Sequence, residues 1–325
     1  MTATRVLVVG SINCDITVRV PDLPLPNQTI LGHGASTTIG GKGLNQAAAA
    51  AAVGADVQFV ATIGDDHFSR QMIDYLGQTG VGTDFVRSKP ACRSGIAIIT
   101  VDDAGNNVIA VAPGANGEVT PEQVEAAFDD GELPAVVLVQ LEIPIATVAA
   151  TLRLARARGV TTILNPAPAH PDILEFLPFI DILTPNEHEL AELAGLSVDA
   201  VAAGGASFEA ALVKLQSISG GTILATRGAS GSTAYDGNGF LRIPAYSMDV
   251  VDTTGAGDVF NGTLAASIAS GDDLAGAIRK ATAAAAISIT RQSAENSAPS
   301  LSEVVALMAG RDGGASAQAG ETVKP

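Results

Sequence analysis

Short runs of aliphatic residues recur along the chain, and each is bounded by glycine, proline or polar residues. The first run, VLVVG at residues 6–10, has no polar position before the glycine. That pattern is typical of a strand buried on both faces of a sheet. Similar runs predict further buried strands within residues 57–64, 135–142, 161–168, 181–187 and 221–228.

Helical patterns lie between several of these runs. Thr120, Pro121 and Gln123 predict a helix over residues 121–128, because they supply an N-cap, a proline at the first helical position and a glutamine at the third. The alternation of strands and helices predicts an α/β fold with three layers, in which helices cover both faces of a mostly parallel central sheet. Other helices are predicted over residues 44–52, 145–158, 187–194, 208–217 and 255–270.

Two segments break this alternation. Residues 16–40 combine prolines with polar β-formers, and residues 95–112 contain two strand patterns around a DDAGNN turn. We expect them to form one small β subdomain that projects from the α/β body as a lid; two surface hairpins without a function would give the same pattern. The chain is thus predicted to be one domain over residues 1–309 with these insertions, followed by a flexible tail over residues 310–325.

Composition and charge exclude several classes of protein. The 325 residues include 18 Lys and Arg against 34 Asp and Glu, a net charge of −16, whereas a nucleic-acid or anionic-membrane binder needs a basic face. Cys14 and Cys92 form no metal-ligand spacing and no disulfide framework, which fits a reducing cytoplasm. The sequence contains no signal-peptide pattern and no apolar run long enough to span a membrane. We therefore expect a cytoplasmic protein.

Polar or glycine-bearing segments follow the predicted strands. In a parallel sheet, ligands bind outside the carboxyl ends of the strands, so we expect these segments to converge in space. They contain Asn13 and Asp15, Glu142, Asn165, Asn186 and Glu187, residues 226–231 and residues 252–258.

Two familiar nucleotide-binding patterns are missing from the sequence. The dinucleotide pattern G-x-G-x-x-G does not follow the first strand, and GGKGLNQ at residues 40–46 differs from a P-loop at Ser36 and Gly43. GGKG is compatible with a tight turn, or with a loop whose backbone approaches a polyhydroxyl ligand. In the second case Lys42 and Asn45 would be hydrogen-bond donors to that ligand.

Gly255, Ala256 and Gly257 open a predicted helix, and Asp258 follows them directly. Free N–H groups at a helix N-terminus form an anion site when no bulky side chain stands in the way, and such a site suits a phosphate. Asp258 could be a capping acid or a general base that removes a proton from a substrate hydroxyl. The two glycines favour the second interpretation, since capping does not need them and close approach of a phosphate does.

The segment VVDTTGAGDVFNG (250–262) resembles the C-terminal signature of the ribokinase family of carbohydrate kinases. The likeness extends from about Val6 to Pro299, and within the family the first segments are most similar to members that phosphorylate ribose. It implies an ATP-dependent transfer of phosphate to O5 of D-ribose. Further segments in the family's order are GSINCD (10–15), GGKGLNQAAAA (40–50), QLE (140–142), NPAPA (165–169) and TPNEHE (184–189).

The resemblance assigns a role to individual residues. It implies that Asp258 is the base that activates the 5-hydroxyl and that Gly255, Ala256 and Gly257 form the anion hole. The implied sugar contacts are Asn13, Asp15, Gly41, Lys42, Asn45, Glu142 and Asp258. The implied ATP contacts are Asn186, Thr226, Arg227, Gly228, Ala229, Ser230, Gly231, Gly257 and Thr282.

The resemblance also implies two cations and a homodimer. Glu189, with Asn186, would organise Mg²⁺ and the phosphates, an activating K⁺ would lie beside the anion hole, and the lid would form the dimer contact. Ser293 departs from the family, which commonly has glycine there, and Thr282 stands where members often have Asn or His. A serine at a position that needs positive φ would be strained. The implied K⁺ residues are Asp252, Thr254, Ser288, Arg291, Ser293 and Ser297.

Two alternatives remain open from the sequence. The first is a kinase for another small sugar, such as 2-deoxyribose or fructose, although Asn13, Asp15 and Asn45 suit a vicinal diol. The second is a sugar- or nucleotide-binding regulator without catalysis on the same fold. Retention of Asp258 and Asn186 opposes that second alternative, because a protein that only binds has no use for a base.

Overall fold

The computed structural model describes residues 5–293, 295 and 297–318, with side chains up to residue 310. In these residues the strands are β1 (Arg5–Val9), β2 (Asn13–Val20), β3 (Gly34–Gly40), β4 (Asp56–Ile63), β5 (Val86–Ser88), β6 (Gly95–Asp102), β7 (Asn107–Ala112), β8 (Val136–Val139), β9 (Thr161–Leu164), β10 (Ile182–Leu183), β11 (Thr222–Thr226), β12 (Ser232–Tyr235) and β13 (Phe240–Ile243). The α-helices are α1 (Lys42–Ala52), α2 (His67–Thr79), α3 (Pro121–Phe128), α4 (Ile145–Arg158), α5 (Glu187–Ala194), α6 (Val198–Ala202), α7 (Gly205–Ser219), α8 (Ala256–Ala269), α9 (Leu274–Ser288) and α10 (Leu301–Gln318).

The main sheet has nine strands in the order β13-β12-β11-β10-β9-β8-β1-β4-β5. Every pairing from β11 across to β5 is parallel, and β12 and β13 extend the sheet as antiparallel edge strands. The carboxyl ends of the parallel strands therefore meet at one edge. The prediction of an α/β fold with a mostly parallel central sheet is confirmed; the two antiparallel strands were not predicted.

Alternate residues of β1 divide the core into two layers. Val6 and Val8 are fully buried on one face of the sheet, and Leu7 and Val9 are buried on the other. This alternation follows from the period of two in a strand, and burial on both faces requires a helical layer on each side. The first layer also contains Leu44, Leu264 and Ile278, and the second contains Leu152, Leu190 and Leu212.

Local capping signals set several helix bounds. The Thr120 side chain accepts from the backbone of Gln123, and the Gln123 Oε1 accepts from the N–H of Thr120 at 2.9 Å, so that α3 begins at the predicted proline. The predicted bounds of α4 and α5 also match the structure. Side-chain hydrogen bonds at a helix start satisfy N–H groups that have no intrahelical acceptor. Residues that can form them are therefore found at helix starts, which explains why these starts could be predicted from the sequence.

A second sheet has four strands in the order β3-β2-β6-β7. Both segments that were predicted to leave the main body lie in it. Asn13 pairs with Gly40 of β3 and with Gly95 of β6, so the sheet begins directly at the polar end of the β1–β2 connection. Asn13 and Asp15 are therefore part of the second sheet, whereas the sequence placed them in a segment that follows the first strand of the main sheet.

The strands of the main sheet are shorter than the sequence patterns suggested. β8 ends at Val139 and β10 contains only Ile182–Leu183, so the polar residues after them lie outside the sheet. Helix α10 continues to Gln318, so residues 310–318 of the predicted flexible tail are helical, and the rest of that tail lies outside the described residues. No helix in the part of the chain that the structure describes is long and apolar enough to cross a membrane.

Gly262 brings α8 close to α1. A Cβ atom at this position would lie 2.2 Å from the backbone oxygen of Gln46 and 2.8 Å from the Cβ of Ala49, so only glycine permits this approach. The contact sets the start of α1 beside the start of α8. These two helix starts carry the residues that form the candidate site.

Candidate active site

The start of α8 is built from backbone. Gly255 is the N-cap with φ of 78°, a left-handed conformation that disfavours residues with a Cβ. Asp258 is the third residue of the helix and is only 7% exposed. The N–H of Ala256 donates to the Thr253 oxygen at 3.2 Å, and the N–H groups of Gly257 and Asp258 have no intrahelical acceptors, so this helix start is a place where an anion can bind.

Gly257 opens on a cavity. A Cβ atom at Gly257 would meet nothing within 4 Å, so packing does not require glycine here. The cavity has a volume of about 580 Å³ and reaches from the start of α8 to α9. Six of the predicted ATP residues line it: Thr226, Gly228, Ala229, Gly231, Gly257 and Thr282.

Three predicted ATP residues do not line this cavity. Arg227 donates from Nε to Oε1 of Glu187 at 2.9 Å, and its guanidinium carbon lies 4.3 Å from the centroid of the Phe208 ring. Its charge is thus used within the protein and holds the 227–231 loop against α5 and α7. Ser230 and Asn186 are the other two.

Asn186 and Glu189 form a capping box at the start of α5. Asn186 Oδ1 accepts from the N–H of Glu189, and Glu189 Oε2 accepts from the N–H of Asn186, both at 2.8 Å. Burial raises the pKa of Glu189, although the hydrogen bond from Asn186 and the charge of Lys42 oppose the shift. The N-x-x-E element therefore caps the start of α5, and Glu189 uses its Oε2 for this hydrogen bond.

Two amides of α1 hold the carboxylate of Asp258. Asn45 Nδ2 donates to Asp258 Oδ2 at 3.0 Å, and Gln46 Nε2 donates to Asp258 Oδ1 at 2.9 Å. The sequence predicted Asn45 as a sugar contact and gave Gln46 no role. Its position in GGKGLNQ, one residue after Asn45, was the signal that could have identified it.

Asp15 lies in a group of acidic side chains. Burial raises the pKa of Asp15 to about 7, and the nearby carboxylates of Glu142, Asp258 and Glu295 add to the shift. Such a crowd of carboxylates is unfavourable without a ligand that donates hydrogen bonds to it. Glu295 was not predicted from the sequence, since it lies in the segment assigned to the cation loop.

Lys42 is the cation among these acids. Burial lowers its pKa, but the charges of Asp258, Glu142 and Glu189 more than offset burial, so the pKa of Lys42 is raised and the side chain is charged. Its backbone N–H also points to Glu142 Oε2 at 3.3 Å, and Ser11 Oγ donates to the same oxygen at 2.5 Å. The predicted sugar residues thus form one polar cluster beside Asp258.

Gly41 is required by the backbone. Its φ is 99°, and a Cβ atom would lie 2.8 Å from the backbone nitrogen of Asn13. Gly43 likewise packs on the backbone of Gly10, at 2.6 Å from its carbonyl carbon to the position of an added Cβ. The glycines of GGKG therefore let the start of α1 pack against residues 10–15, which brings Lys42 and Asn45 to the same place as Asp15.

Asn116 is a site residue that the sequence analysis did not find. It is buried, its Nδ2 donates to Asn13 Oδ1 at 2.7 Å and to the backbone oxygen of Ile12 at 3.2 Å, and its Oδ1 accepts from the N–H of Ile12 at 2.9 Å. Asn116 and Asn13 are 103 positions apart in the sequence. No local spacing could have indicated this pair.

The predicted cation residues lie on two segments that meet at Ile289. The N–H groups of Val251 and Asp252 both donate to the Ile289 oxygen, at 2.7 and 3.1 Å. Asp252 Oδ2 accepts from the N–H of Ser293 at 3.2 Å, and Ser293 has φ of 70°. The predicted positive φ at Ser293 is therefore present.

The other predicted cation residues make hydrogen bonds within this loop and in the last turn of α9. Asp252 Oδ1 accepts from the N–H of Thr254 at 2.9 Å. Arg291 donates to the backbone oxygens of Ser297 and Ala298, at 3.3 and 2.9 Å, and Ser288 Oγ donates to the oxygen of Ala285 at 2.8 Å. In the described residues, no three His, Cys, Asp or Glu side chains are arranged to hold a metal ion.

A buried carboxylate beside a helix N-terminus that opens on a cavity can act as a general base next to a site for an anion. Residues 3–301 match the pfkB family carbohydrate kinases. The chain therefore belongs to this family, which confirms the resemblance found in the sequence.

Individual relatives cover nearly the whole chain. The ribokinase of Bacillus subtilis is 34% identical over 304 residues, which are 94% of this chain and 99% of that protein. The deoxyribokinase of Salmonella typhimurium is 31% identical over 299 residues, 92% of this chain and 96% of that protein. The structure of Arabidopsis thaliana ribokinase complexed with ribose and ATP has a TM-score of 0.83 and 30% identity, and it covers 95% of this chain and 99% of that one.

Proposed function

We propose that the protein transfers the γ-phosphoryl group of ATP to O5 of D-ribose and releases ribose 5-phosphate and ADP. Asp258 accepts the proton of the 5-hydroxyl, the new P–O5 bond forms, and the bond from the γ-phosphorus to the bridging oxygen of ADP breaks. Support comes from the family, from relatives that are ribokinases over nearly their full length, and from a related structure with ribose and ATP.

One observation carries this proposal: Asp258 lies between two different environments. On one side, Gly257 and Ala256 line the 580 Å³ cavity, which has room for a nucleotide. On the other, Asn45 binds the Asp258 carboxylate, and the charge of Asp258 helps to raise the pKa of Lys42 and of Asp15. A general base must reach the acceptor hydroxyl while the N–H groups beside it stabilise the transferring phosphoryl group, and this position satisfies both needs.

The side chains of Glu189 and Asn186 could supply part of the ligands of a Mg²⁺ ion. Mg²⁺ keeps several waters and binds phosphates together with one or two carboxylates. Glu189 is a buried carboxylate with one oxygen held by the capping box, and its second oxygen, with Asn186, would help to hold the hydrated ion. The ion would supply charge neutralisation at the phosphates.

A monovalent cation fits the loop of Asp252 and Ser293. Asp252 provides a carboxylate beside the start of α8, and its Oδ2 accepts from the N–H of Ser293, whose φ of 70° turns the chain next to that carboxylate. We propose that K⁺ binds here as an activator, through oxygen ligands only. Thr254 connects this loop directly to Gly255, so the ion would lie close to the anion hole. Its positive charge would act there electrostatically.

The second sheet is proposed to act as a lid and as the contact of a homodimer. Its edge strand β7 is exposed along its whole length, and Val108, Ile109 and Val111 are 57%, 51% and 47% exposed. An exposed apolar edge strand is a template for pairing with another chain. A second copy of this sheet would cover those side chains.

The substrate is tested with purified protein and a panel of sugars in a coupled assay of ADP release, with and without K⁺. We expect the highest kcat/KM with D-ribose, a strong stimulation by K⁺, and a product that phosphorus NMR identifies as the 5-phosphate. The second candidate is a deoxyribokinase, because the chain is also similar to the Salmonella enzyme. A higher kcat/KM with 2-deoxyribose than with D-ribose would favour it. Sugar and ATP binding by calorimetry without any ADP release would contradict both.

A further inference from the structure

Five neutral polar side chains form a buried network next to Asp258. They occupy α1, the ends of β8, β9 and β10, and α8, and none is more than 7% exposed. Together they connect the Asp258 carboxylate to the backbone of the anion hole. The five are Gln46, Gln140, Asn165, Thr184 and Asn261.

The direction of the hydrogen bonds is fixed by backbone oxygens. Asn165 Nδ2 donates to the backbone oxygen of Thr184 at 3.2 Å, so Asn165 Oδ1 must face Gln46 and accept from it, at 3.1 Å. The Gln46 atom in that position is therefore Nε2, and the same nitrogen donates to Asp258 Oδ1 at 2.9 Å. A backbone carbonyl cannot donate, so the amide of Gln46 has only this orientation.

Gln140 supports that orientation at the other end of the amide. Its Nε2 donates to Gln46 Oε1 at 2.7 Å, and its own buried Oε1 has no hydrogen-bond partner among the described residues. A fully buried acceptor without a partner is unfavourable. The hydrogen bond from Gln140 therefore holds Gln46 Oε1 on the side away from Asp258 and leaves Gln46 Nε2 as the donor to Asp258.

The network returns to the anion hole through α8. Thr184 Oγ1 donates to Asn261 Oδ1 at 2.6 Å, and Asn261 Nδ2 donates to the backbone oxygen of Gly257 at 2.8 Å. The carboxylate and the peptide that opens on the cavity are thus held by one set of hydrogen bonds. A shift of Gln46 would alter the angle between the base and the anion hole.

We propose that Gln46 is a positioning residue for phosphoryl transfer, which fixes the plane of the Asp258 carboxylate against the backbone of Gly257. It does not touch the sugar in this arrangement, because its nitrogen is used by Asp258 and Asn165 and its oxygen by Gln140. The proposal rests on the proposed role of Asp258 as base. Misplacement of a reacting group by about 1 Å costs roughly 100-fold in rate.

The experiment compares Gln46→Met with a matched control, Gln123→Met. Gln123 is also buried, and its side chain hydrogen-bonds Thr62 and the Thr120 backbone, away from Asp258. We expect Gln46→Met to lower kcat by about 10- to 100-fold and to leave KM for sugar and ATP within about threefold. We expect Gln123→Met to lower the melting temperature while kcat per folded molecule stays within about twofold.

A double variant separates positioning from general loss of structure. If Gln46 acts only through the Asp258 carboxylate, Gln46→Met should not reduce the residual kcat of Asp258→Asn by more than about twofold. Equal losses in both backgrounds, no loss in either, or a matching loss in Gln123→Met would overturn the proposal. If Gln46→Met does not fold, Gln46→Glu keeps the shape and places a carboxylate against Asp258, and a kcat near that of the unmodified protein would overturn it as well. Unchanged turnover in Asp258→Asn alone would instead refute the base itself.

Discussion

Asn116 donates a hydrogen bond from Nδ2 to Oδ1 of Asn13 at 2.7 Å, and this bond determines which end of the Asn13 amide is free. The oxygen is occupied, so the NH₂ group of Asn13 is the end that is left to donate to a sugar hydroxyl. Asn116 itself cannot turn over, since it also donates to the Ile12 oxygen and accepts from the Ile12 N–H.

Asn116→Asp should therefore weaken sugar binding. The aspartate cannot donate to Asn13, whose amide would then turn its NH₂ group away from the sugar. One lost hydrogen bond of about 1–1.5 kcal/mol corresponds to a roughly tenfold rise in KM for ribose, with KM for ATP unchanged. Initial rates at varied sugar and ATP measure both constants. Asn238→Asp, the same change on an exposed hairpin, is the control, and equal effects of the two variants would contradict the assignment.

Asp258→Asn should abolish most turnover without unfolding the protein. The asparagine keeps the size of the side chain but cannot accept the proton of the hydroxyl. Loss of a general base lowers kcat by roughly 10²–10⁴-fold. Calorimetry should show that ATP still binds. Turnover close to that of the unmodified enzyme would show that another group takes the proton.

Gly255 and Gly257 should respond differently to a side chain. At Gly255 the positive φ makes Gly255→Ala unfavourable by about 1–2 kcal/mol, measured as a loss of unfolding free energy in denaturant. At Gly257 an added side chain meets empty space, so Gly257→Val should fold almost normally but fill the path of the phosphate and lower kcat/KM for ATP by at least about tenfold. Similar stability losses and similar kinetics in the two variants would not fit this distinction.

The pKa of Asp15, raised to about 7 by burial and by the neighbouring carboxylates, predicts a pH dependence. The ionised form accepts hydrogen bonds from sugar hydroxyls, so KM for ribose should fall as pH rises through about 7 and then level off. Asp15→Asn should remove this dependence. A flat KM between about pH 6 and 8 in the unmodified protein would contradict the role of Asp15.

The same carboxyl has the opposite effect on folding. Because its pKa is higher in the folded than in the unfolded chain, the free energy of unfolding that it contributes is present at low pH and is lost as pH rises through about 7. Asp15→Asn should therefore raise the melting temperature at pH 8 more than at pH 5. Scanning calorimetry at the two pH values measures the difference.

The exposed apolar strand β7 should determine the oligomeric state. Ile109→Arg places a charge at the centre of the proposed contact and should convert a dimer to a monomer in sedimentation velocity. Val213→Arg, on α7 and 41% exposed, is the matched control and should leave the mass unchanged. A monomeric unmodified protein at micromolar concentration would refute the dimer.

Local signals in the sequence were enough for the starts of α3, α4 and α5, whereas α1 and α7 begin two and three residues before the predicted positions, and no local signal gave the hydrogen bonds of the site. The bounds of α3 follow from Thr120, Pro121 and Gln123, because a capping box involves residues three positions apart. Gln46 and Asp258 are 212 positions apart, and their contact depends on how α1 and α8 pack. The sequence pointed to Asp258 through its neighbours but gave no role to Gln46, one of the two amides that bind its carboxylate.

The short strands show a second limit of pattern reading. Apolar periodicity predicted β8 correctly as buried, but it could not indicate that Gln140 leaves the sheet and turns its amide to Gln46. A buried glutamine has the same pattern whether it ends a strand or joins a network. Only the positions of its partners distinguish these cases.

The pairing of Asn13 with Gly40 and Gly95 has a mechanical consequence. Asn13 and Asp15 belong to β2, so a displacement of the second sheet would carry them with it, although β1 precedes them by only a few residues. If that sheet tilts as a body, two of the proposed sugar contacts travel with it, while Asp258 and Asn45 stay on the helices. Sugar binding and closure of the second sheet would then be a single motion, and a bound sugar would favour the closed position of that sheet before any nucleotide binds.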